Sequence, residues 1–234
     1  MTRYLGGLIT ADETQSLPSN NFEDTSAPGI WTLSEAEMLN KQGLWPTAGN
    51  EKTLIENVFS THAYTGNGSD GHDIVNGIDL ASEGGLVWIK DRGNGSTNHS
   101  LFDTVRGVNK RQITNNYVAD ATVINMLDSF NSNGFTLGQD NSSGDVNTNN
   151  NDYIAWTFRK APKFFDVLTY TGNGSTQTIS HNLGTTVGSI WVKCTANTND
   201  WAIYHRSYGG GYYFRVAPYG TDAASTNAQY WDST

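Results

Sequence analysis

The stretch Tyr-Thr-Gly-Asn-Gly-Ser stands at residues 64–69 of this chain and returns letter for letter at residues 170–175. A matching apolar stretch follows each occurrence, Leu-Val-Trp-Ile-Lys at 86–90 and Ser-Ile-Trp-Val-Lys at 189–193. The two copies begin about a hundred residues apart, which is longer than the period of a solenoid repeat. Each copy is therefore expected to be closer to a small domain than to one layer of a stack.

The repeated stretch is itself a turn signal. Asn-Gly adopts positive φ easily and is the strongest short signal for a β-hairpin, so we predict that both copies open with the same hairpin. The stretch at 86–90 carries apolar residues on both of its faces, which is typical of a central strand covered on both sides, as in a β-sandwich. Trp88 and Trp191 hold corresponding positions in the two copies, and we expect both to be buried.

The composition narrows the class of protein. Of 234 residues, 36% are hydrophobic, 12% aromatic and only 16% charged, and 25 are glycine, which favours a β protein with many short strands. The net charge of −9 argues against binding nucleic acid, which requires a basic surface. The single cysteine, Cys194, permits no intrachain disulfide and favours synthesis in a reducing compartment. We expect neither a signal peptide nor insertion in a membrane, because no apolar stretch has the required length.

Residues 1–52 differ from the rest and are predicted to form an N-terminal anchoring arm. The arm is polar and extended apart from one short helix at about residues 34–42. Ser34 is predicted as its N-cap, with Glu37 completing a capping box. A helix of about ten residues is too short to be stable alone in water. It must therefore dock, either onto its own β domain or onto another subunit.

Apolar residues in and beside this helix are predicted to make the docking contact. Leu33 and Met38 have the spacing of a hydrophobic staple across the N-terminus of the helix. The predicted anchoring residues are Trp31, Leu33, Met38, Leu39 and Trp45.

The β part divides into residues 53–160 as a first sandwich copy, a linker at 161–163, and a partial second copy at 164–234. Further strands are predicted at 130–137 and 153–158, and the second copy lacks counterparts of 135–137 and 153–158. Three explanations remain open: the chain continues beyond residue 234, a neighbouring subunit covers the open edge, or the second copy is an abbreviated sheet. Since an uncovered edge invites aggregation, something is expected to cover it.

Reactive chemistry is not predicted. The sequence has no pair of carboxylates spaced for glycan cleavage and no Gly-x-Ser-x-Gly stretch, so we predict no catalytic residues and no cofactor. The loop at 140–152 is rich in the oxygen ligands that Ca²⁺ prefers, but it lacks the spacing of a calcium loop. We expect a solvated loop without a metal, and Ca²⁺ if any metal binds.

The second copy carries a dense set of aromatic residues that are predicted to contact a ligand or a protein. Sugar rings stack on exposed aromatic faces, and tyrosine and tryptophan also concentrate in protein interfaces, so both interpretations stand, with the interface favoured. The candidate contact residues are Trp201, Tyr204, Tyr208, Tyr212, Tyr213 and Tyr219.

Several stretches together resemble a known family. The repeated turn, the Trp-Val/Ile-Lys strand, Ser-Asn-Gly-Phe-Thr-Leu at 132–137 and Asp-Tyr-Ile-Ala-Trp-Thr-Phe at 152–158 resemble concanavalin-like sandwich domains. These occur, often in tandem, in tail-fibre and other virion proteins of tailed phages, marine ones especially. The resemblance covers residues 55–160 as a complete unit and 164–216 as a partial one. Residues 26–46 also resemble a short segment that precedes such modules in phage virion proteins.

The resemblance implies an all-β fold, a duplicated concanavalin- or jelly-roll-like β-sandwich with an incomplete second copy, after an extended arm with one short α-helix. It implies a structural protein of the virion, a tail fibre or fibre-like component, and not an enzyme. The arm would dock to other virion proteins while the sandwiches project outward or bridge subunits, and a homo-oligomer, with a trimer favoured, is expected. The alternative is a lectin-like receptor-binding module that recognises a glycan on the host surface.

Overall fold

The computed structural model describes residues 32–42, 54–140, 145–208, 212–216 and 225–226. The chain divides into two compact units, residues 1–54 and residues 55–234. The described residues form two α-helices and thirteen β-strands, which confirms the all-β class. Neither of these helices is long and apolar enough to cross a membrane.

The first unit contributes helix α1, Leu33–Lys41. The amide of Glu35 donates to Thr32 Oγ1 at 3.1 Å, and the amide of Thr32 donates to Glu35 Oε2 at 2.7 Å. The capping box is therefore Thr32 with Glu35, not Ser34 with Glu37 as predicted. Both pairs fit the motif, and the helix begins at the earlier one, so the sequence pattern alone could not choose between them.

The two faces of α1 differ in exposure. Ala36 and Leu39, one turn apart, are buried, whereas Leu33 is 64% and Met38 51% exposed. The predicted staple of Leu33 on Met38 does not fit, because both side chains are mostly in solvent. The helix thus presents one buried stripe and two exposed large apolar residues.

The second unit begins with a short helix, α2 at Ile55–Val58, and continues as strands. In chain order the strands are β1 (Phe59–Thr65), β2 (His72–Val75), β3 (Gly85–Asp91), β4 (Ser100–Asp103), β5 (Lys110–Ile113), β6 (Ala121–Thr122), β7 (Leu127–Asn131), β8 (Gly134–Leu137), β9 (Asp152–Arg159), β10 (Ser189–Val192), β11 (Trp201–His205), β12 (Tyr212–Val216) and β13 (Ser225–Thr226).

These strands form three antiparallel sheets. A six-stranded sheet has the order β1-β9-β3-β4-β5-β6, a three-stranded sheet the order β2-β8-β7, and a four-stranded sheet the order β10-β11-β12-β13. The stretch 130–137, predicted as one strand, belongs to the β7–β8 hairpin, in which Asn131 pairs with Gly134. The two turn residues are Ser132 and Asn133, and Gly134 begins β8.

The core lies between the six-stranded and the three-stranded sheets. Val87 and Ile89 of β3 and Phe102 of β4 are fully buried in one cluster with Phe135 and Leu137 of β8. Residues along β3 and β9 alternate between buried and half-buried, so each strand turns one face to this core. The arrangement is sandwich-like.

The repeated turn at 64–69 does not close a hairpin. It joins β1 of the six-stranded sheet to β2 of the three-stranded sheet, so the predicted hairpin is wrong. Gly68 has φ of +65°, and Asn67 Oδ1 accepts a hydrogen bond from the Ser69 amide at 2.8 Å. Asn-Gly sets this local conformation, but it does not decide which strand the emerging chain will pair with.

The second occurrence of the turn keeps that local conformation in different surroundings. Gly174 has φ of +76°, and the Ser175 amide donates to Asn173 Oδ1 at 2.9 Å. Tyr64 stacks on Tyr153, whereas its counterpart Tyr170 is half exposed. Residues 166–188 form no strand, so this part of the second copy has no counterpart of β1 and β2.

In the first copy a buried asparagine holds the turn. Asn147, with 0% exposure, donates from Nδ2 to the carbonyl oxygens of Gly138 at 2.7 Å and Ser69 at 3.0 Å, and its Oδ1 accepts from the Asn67 amide at 3.0 Å. Val146 beside it is also fully buried. The prediction of a solvated loop at 140–152 is therefore wrong for this part, because its polar groups have partners inside the protein.

We expect Asn147→Ala to lower the free energy of unfolding by about 2–4 kcal/mol, since it leaves several buried backbone groups of the turn without a partner. Asn149→Ala, an exposed position in the same loop, is the control and should change stability by less than about 0.5 kcal/mol. Urea unfolding monitored by tryptophan fluorescence measures both. Equal stabilities of the two variants would contradict the role given to Asn147.

Candidate functional site

The six-stranded sheet carries large apolar side chains on the face turned away from the core. On β9, Ile154, Trp156 and Phe158 are half-buried on this side. Trp156 lies directly opposite Trp88 of β3, with ring centroids 5.6 Å apart. We call Trp88, Trp156 and Phe158 the outer aromatic face. A face of this kind requires a cover or a partner.

The polypeptide after β9 covers one end of the outer aromatic face. Phe164 and Phe165 lie with ring centroids 6.4 Å and 5.5 Å from that of Phe158. Ala161 forms an isolated bridge with Phe165, which turns the chain back at this point. Residues 161–163, predicted as a linker, are thus a tight turn that brings two phenylalanines onto the sheet.

Tryptophans join the first copy to the four-stranded sheet. Trp191 of β10 meets Trp88 edge-on at 6.1 Å between centroids, and Trp201 of β11 meets Trp191 at 6.4 Å. The indole N–H of Trp201 donates to the carbonyl oxygen of Ile113 at 3.2 Å. The equivalent tryptophans of the two copies therefore contact each other. The predicted burial of Trp191 is wrong, since it is 51% exposed.

His99 completes this cluster. The indole N–H of Trp88 donates to His99 Nδ1 at 3.0 Å, which requires an unprotonated Nδ1. Burial lowers the pKa of His99 from its ordinary 6.5, and the positive charge of Lys90 lowers it further. The neutral imidazole is thus the form that fits, and it fixes the orientation of the Trp88 ring.

The predicted contact residues of the second copy fall in different environments. Trp201 is 7% exposed, so its ring is not available to stack on a sugar. Tyr204 is half-buried in β11, Tyr208 ends a short 3-10 turn, and Tyr212 and Tyr213 lie in β12. Tyr219 lies outside the described residues. The structure brings Tyr204 and the pair Tyr212–Tyr213 onto neighbouring strands of one sheet.

Of the predicted anchoring residues, Leu33 and Met38 are exposed and Leu39 is buried. Trp31 and Trp45 lie outside the described residues.

Carboxylates of the loop at 140–152 have protein partners. Asp145 Oδ2 pairs with Arg111 in a buried ion pair. Asp140 Oδ2 accepts from the Val146 amide at 2.8 Å. In the described part of the chain, no group of three or more His, Cys, Asp or Glu side chains is placed to hold a metal ion.

Sequence reasoning missed Trp156 and His99 as members of the aromatic cluster. Trp156 carried a usable signal, because it shares a strand face with Phe158 and lies two positions from it. His99 carried none, since the pairing of β3 with β4, which sets Trp88 opposite Leu101, is what brings its side chain within reach of the Trp88 indole.

The His99 contact predicts a pH dependence of stability. A pKa lowered in the folded state means that the unfolded chain takes up the proton first, so this stability is complete above about pH 6.5 and is lost as the pH falls through the lower, folded value. His99→Asn keeps an oxygen acceptor for Trp88 but does not titrate. Wild-type protein should lose more stability than this variant between about pH 7.5 and pH 5 in urea unfolding.

Between about pH 7.5 and pH 8.5 the stability difference between the two proteins should be constant, which serves as the internal control. If the stabilities of the two proteins changed in parallel over the whole pH range, the role of His99 in the pH dependence would be contradicted.

Comparison with known proteins finds one family. The family model described as "Domain of unknown function (DUF7483)" matches residues 56–234, which is most of the chain and includes both copies of the repeat. No curated protein and no solved structure matches the chain. The chain belongs to the DUF7483 domain family.

Proposed function

We propose that this protein is a structural component of a phage virion, a tail fibre or fibre-like part, and not an enzyme. Its N-terminal arm docks to other virion proteins, and its β-sandwich modules, concanavalin- or jelly-roll-like and duplicated with an incomplete second copy, project outward or bridge subunits. The protein acts as a homo-oligomer, with a trimer favoured.

The resemblance of several ordered stretches to tandem domains of phage fibres is the first support for this proposal. The division of the chain is the second. Residues 1–54 form a compact unit apart from residues 55–234, and the family match at 56–234 leaves that unit outside it. A segment that belongs to a separate unit is free to serve a separate purpose, such as attachment.

The exposure of α1 is the observation that carries the docking role. Leu33 and Met38 are large, apolar and more than half exposed on a helix of nine residues. A helix this short gains most of its stability from packing, so two exposed apolar side chains suit a surface that is completed by a partner. Glu37 and Lys41, at 2.8 Å, provide a polar pair on the same helix.

The lectin-like alternative has one supporting observation. Trp191 is 51% exposed, and an exposed tryptophan is suited to stack on a sugar. Trp201 beside it is buried and cannot offer a second ring for stacking on a sugar. The structural role is therefore the stronger proposal.

Leu33→Ser combined with Met38→Ser should reduce incorporation into particles at least about tenfold, because it removes apolar area from the docking surface. Both positions are exposed, so the melting temperature of the purified protein should not change. Quantitative immunoblotting of purified particles, after complementation of phage that lack the native protein, measures incorporation.

Glu37→Gln is the matched control on α1 and should incorporate normally. Normal incorporation of the double serine variant would contradict docking through this helix. Saturable binding of wild-type protein to host surface polysaccharide, lost in Trp191→Ala, would establish the lectin-like function in its place.

A further inference from the structure

The four-stranded sheet corresponds to one half of the six-stranded sheet. The order β10-β11-β12-β13 follows β3-β4-β5-β6, and Trp191 of β10 corresponds to Trp88 of β3. The backbone registers agree as well: the Thr104 amide donates to Gly85 O at 3.0 Å, and the Arg206 amide donates to Gly188 O at 3.0 Å. Strand β10 therefore has the same position beside β11 that β3 has beside β4.

The other edge of β3 is paired, whereas no strand in the described part of the chain pairs with the other edge of β10. Strand β9 pairs with β3 along its whole length, whereas β10 pairs with β11 and with no other strand of the described residues. In an antiparallel ladder, backbone groups point alternately to the two sides. Since Gly188 and Ile190 bond toward β11, the backbone groups of Ser189 and Trp191 point to the open edge.

Corresponding glycines of the two copies differ in what surrounds them, and the glycine at the open edge of β10 has free space beside it. A Cβ added to Gly85 would overlap the carbonyl oxygen of Phe158 in β9, whereas a Cβ added to its counterpart Gly188 has no atom within 4 Å. Neither glycine has a backbone conformation that other residues avoid. Close approach of β9 explains the glycine in the first copy, and nothing among the described residues explains the one in the second.

A second pair of glycines repeats this asymmetry. A Cβ on Gly66 would overlap the carbonyl oxygen of Thr148, in the loop that Asn147 anchors, and a Cβ on Gly172 has no atom within 4 Å. Both empty positions correspond to the same missing piece, the loop and strand formed by residues 147–159 of the first copy. The turn at 170–175 has already adopted the conformation that this loop binds in the first copy.

We propose that the open edge of β10 and the turn at 170–175 form an acceptor site for a β-strand supplied by another polypeptide chain. The incoming segment pairs antiparallel with β10 and presents an asparagine to the turn. It therefore has the pattern of residues 145–160, an asparagine five residues before a strand in which aromatic and small residues alternate. The inference deepens the proposed assembly role and rests on it for its biological partner.

The test uses the intact protein and a synthetic peptide with the sequence of residues 145–160. Titration followed by amide NMR should show saturable binding, with slowed hydrogen exchange of the Ser189 and Trp191 amides. The amides of Ile190 and Val192, which bond to β11, are the internal reference and should be protected from the start.

Two peptides that differ only in the positions of N-methyl groups test which edge of the peptide pairs with β10. In the first copy the amides of Ile154 and Trp156 face β3, and those of Ala155 and Thr157 face β1. Methylation of Ile154 and Trp156 should weaken binding at least about tenfold more than methylation of Ala155 and Thr157.

Gly188→Ala and Gly172→Ala test the acceptor without disturbing the fold. Because no atom lies within 4 Å of either added Cβ, both variants should keep the melting temperature of the wild type. Each should bind the peptide at least about tenfold more weakly, since the methyl group takes the space of the incoming backbone.

Three results would each overturn the acceptor site: no saturable binding, unchanged affinity of the glycine variants, or slow exchange of the Ser189 and Trp191 amides before any peptide is added. The last would mean that the chain already covers its own edge. None of these results bears on the α1 variants in particle incorporation, so a failure here is distinguishable from a failure of the proposed function.

Discussion

Strand β9 is the element on which the rest of the second unit depends. It lies between β1 and β3, so both of its edges are paired, and Tyr153 and Ala155 on its inner face are fully buried. Its outer face carries Trp156 and Phe158. The loop before it places Asn147 under the turn at 64–69. One segment therefore closes the sheet, fills the core and fixes the link between two sheets.

Because β9 is apolar on both faces, the outer aromatic face must be covered as well as the face turned to the core. Phe164 and Phe165 cover one end of this face, and Trp191 covers another part through its contact with Trp88. The cover comes from the second copy, in which no strand of the described residues takes the place of β9. Burial of this aromatic face therefore holds the two copies together in one chain.

Patterns that depend on near neighbours in sequence were predictive. The stretches 86–90 and 153–158 become β3 and β9 because alternation of apolar residues is a property of the strand itself. Strand β5, Lys-Arg-Gln-Ile, carries no such alternation and was not predicted. Its Arg111 is buried because Asp145, distant in sequence, neutralises it, and no local pattern reports a partner of that kind.

The sequence by itself determined the all-β class, the repeat, the turn conformation at 67–69 and 173–175, and the presence of a short helix near residue 34. These follow from local backbone preferences, which act over a few residues. Tertiary structure alone decided that the repeated turn crosses between sheets, that a polar loop is buried, and that two equivalent tryptophans touch each other. The reason is physical: pairing and burial depend on which distant segment arrives, and identical turns at 64–69 and 170–175 have different surroundings because β9 is present beside only the first.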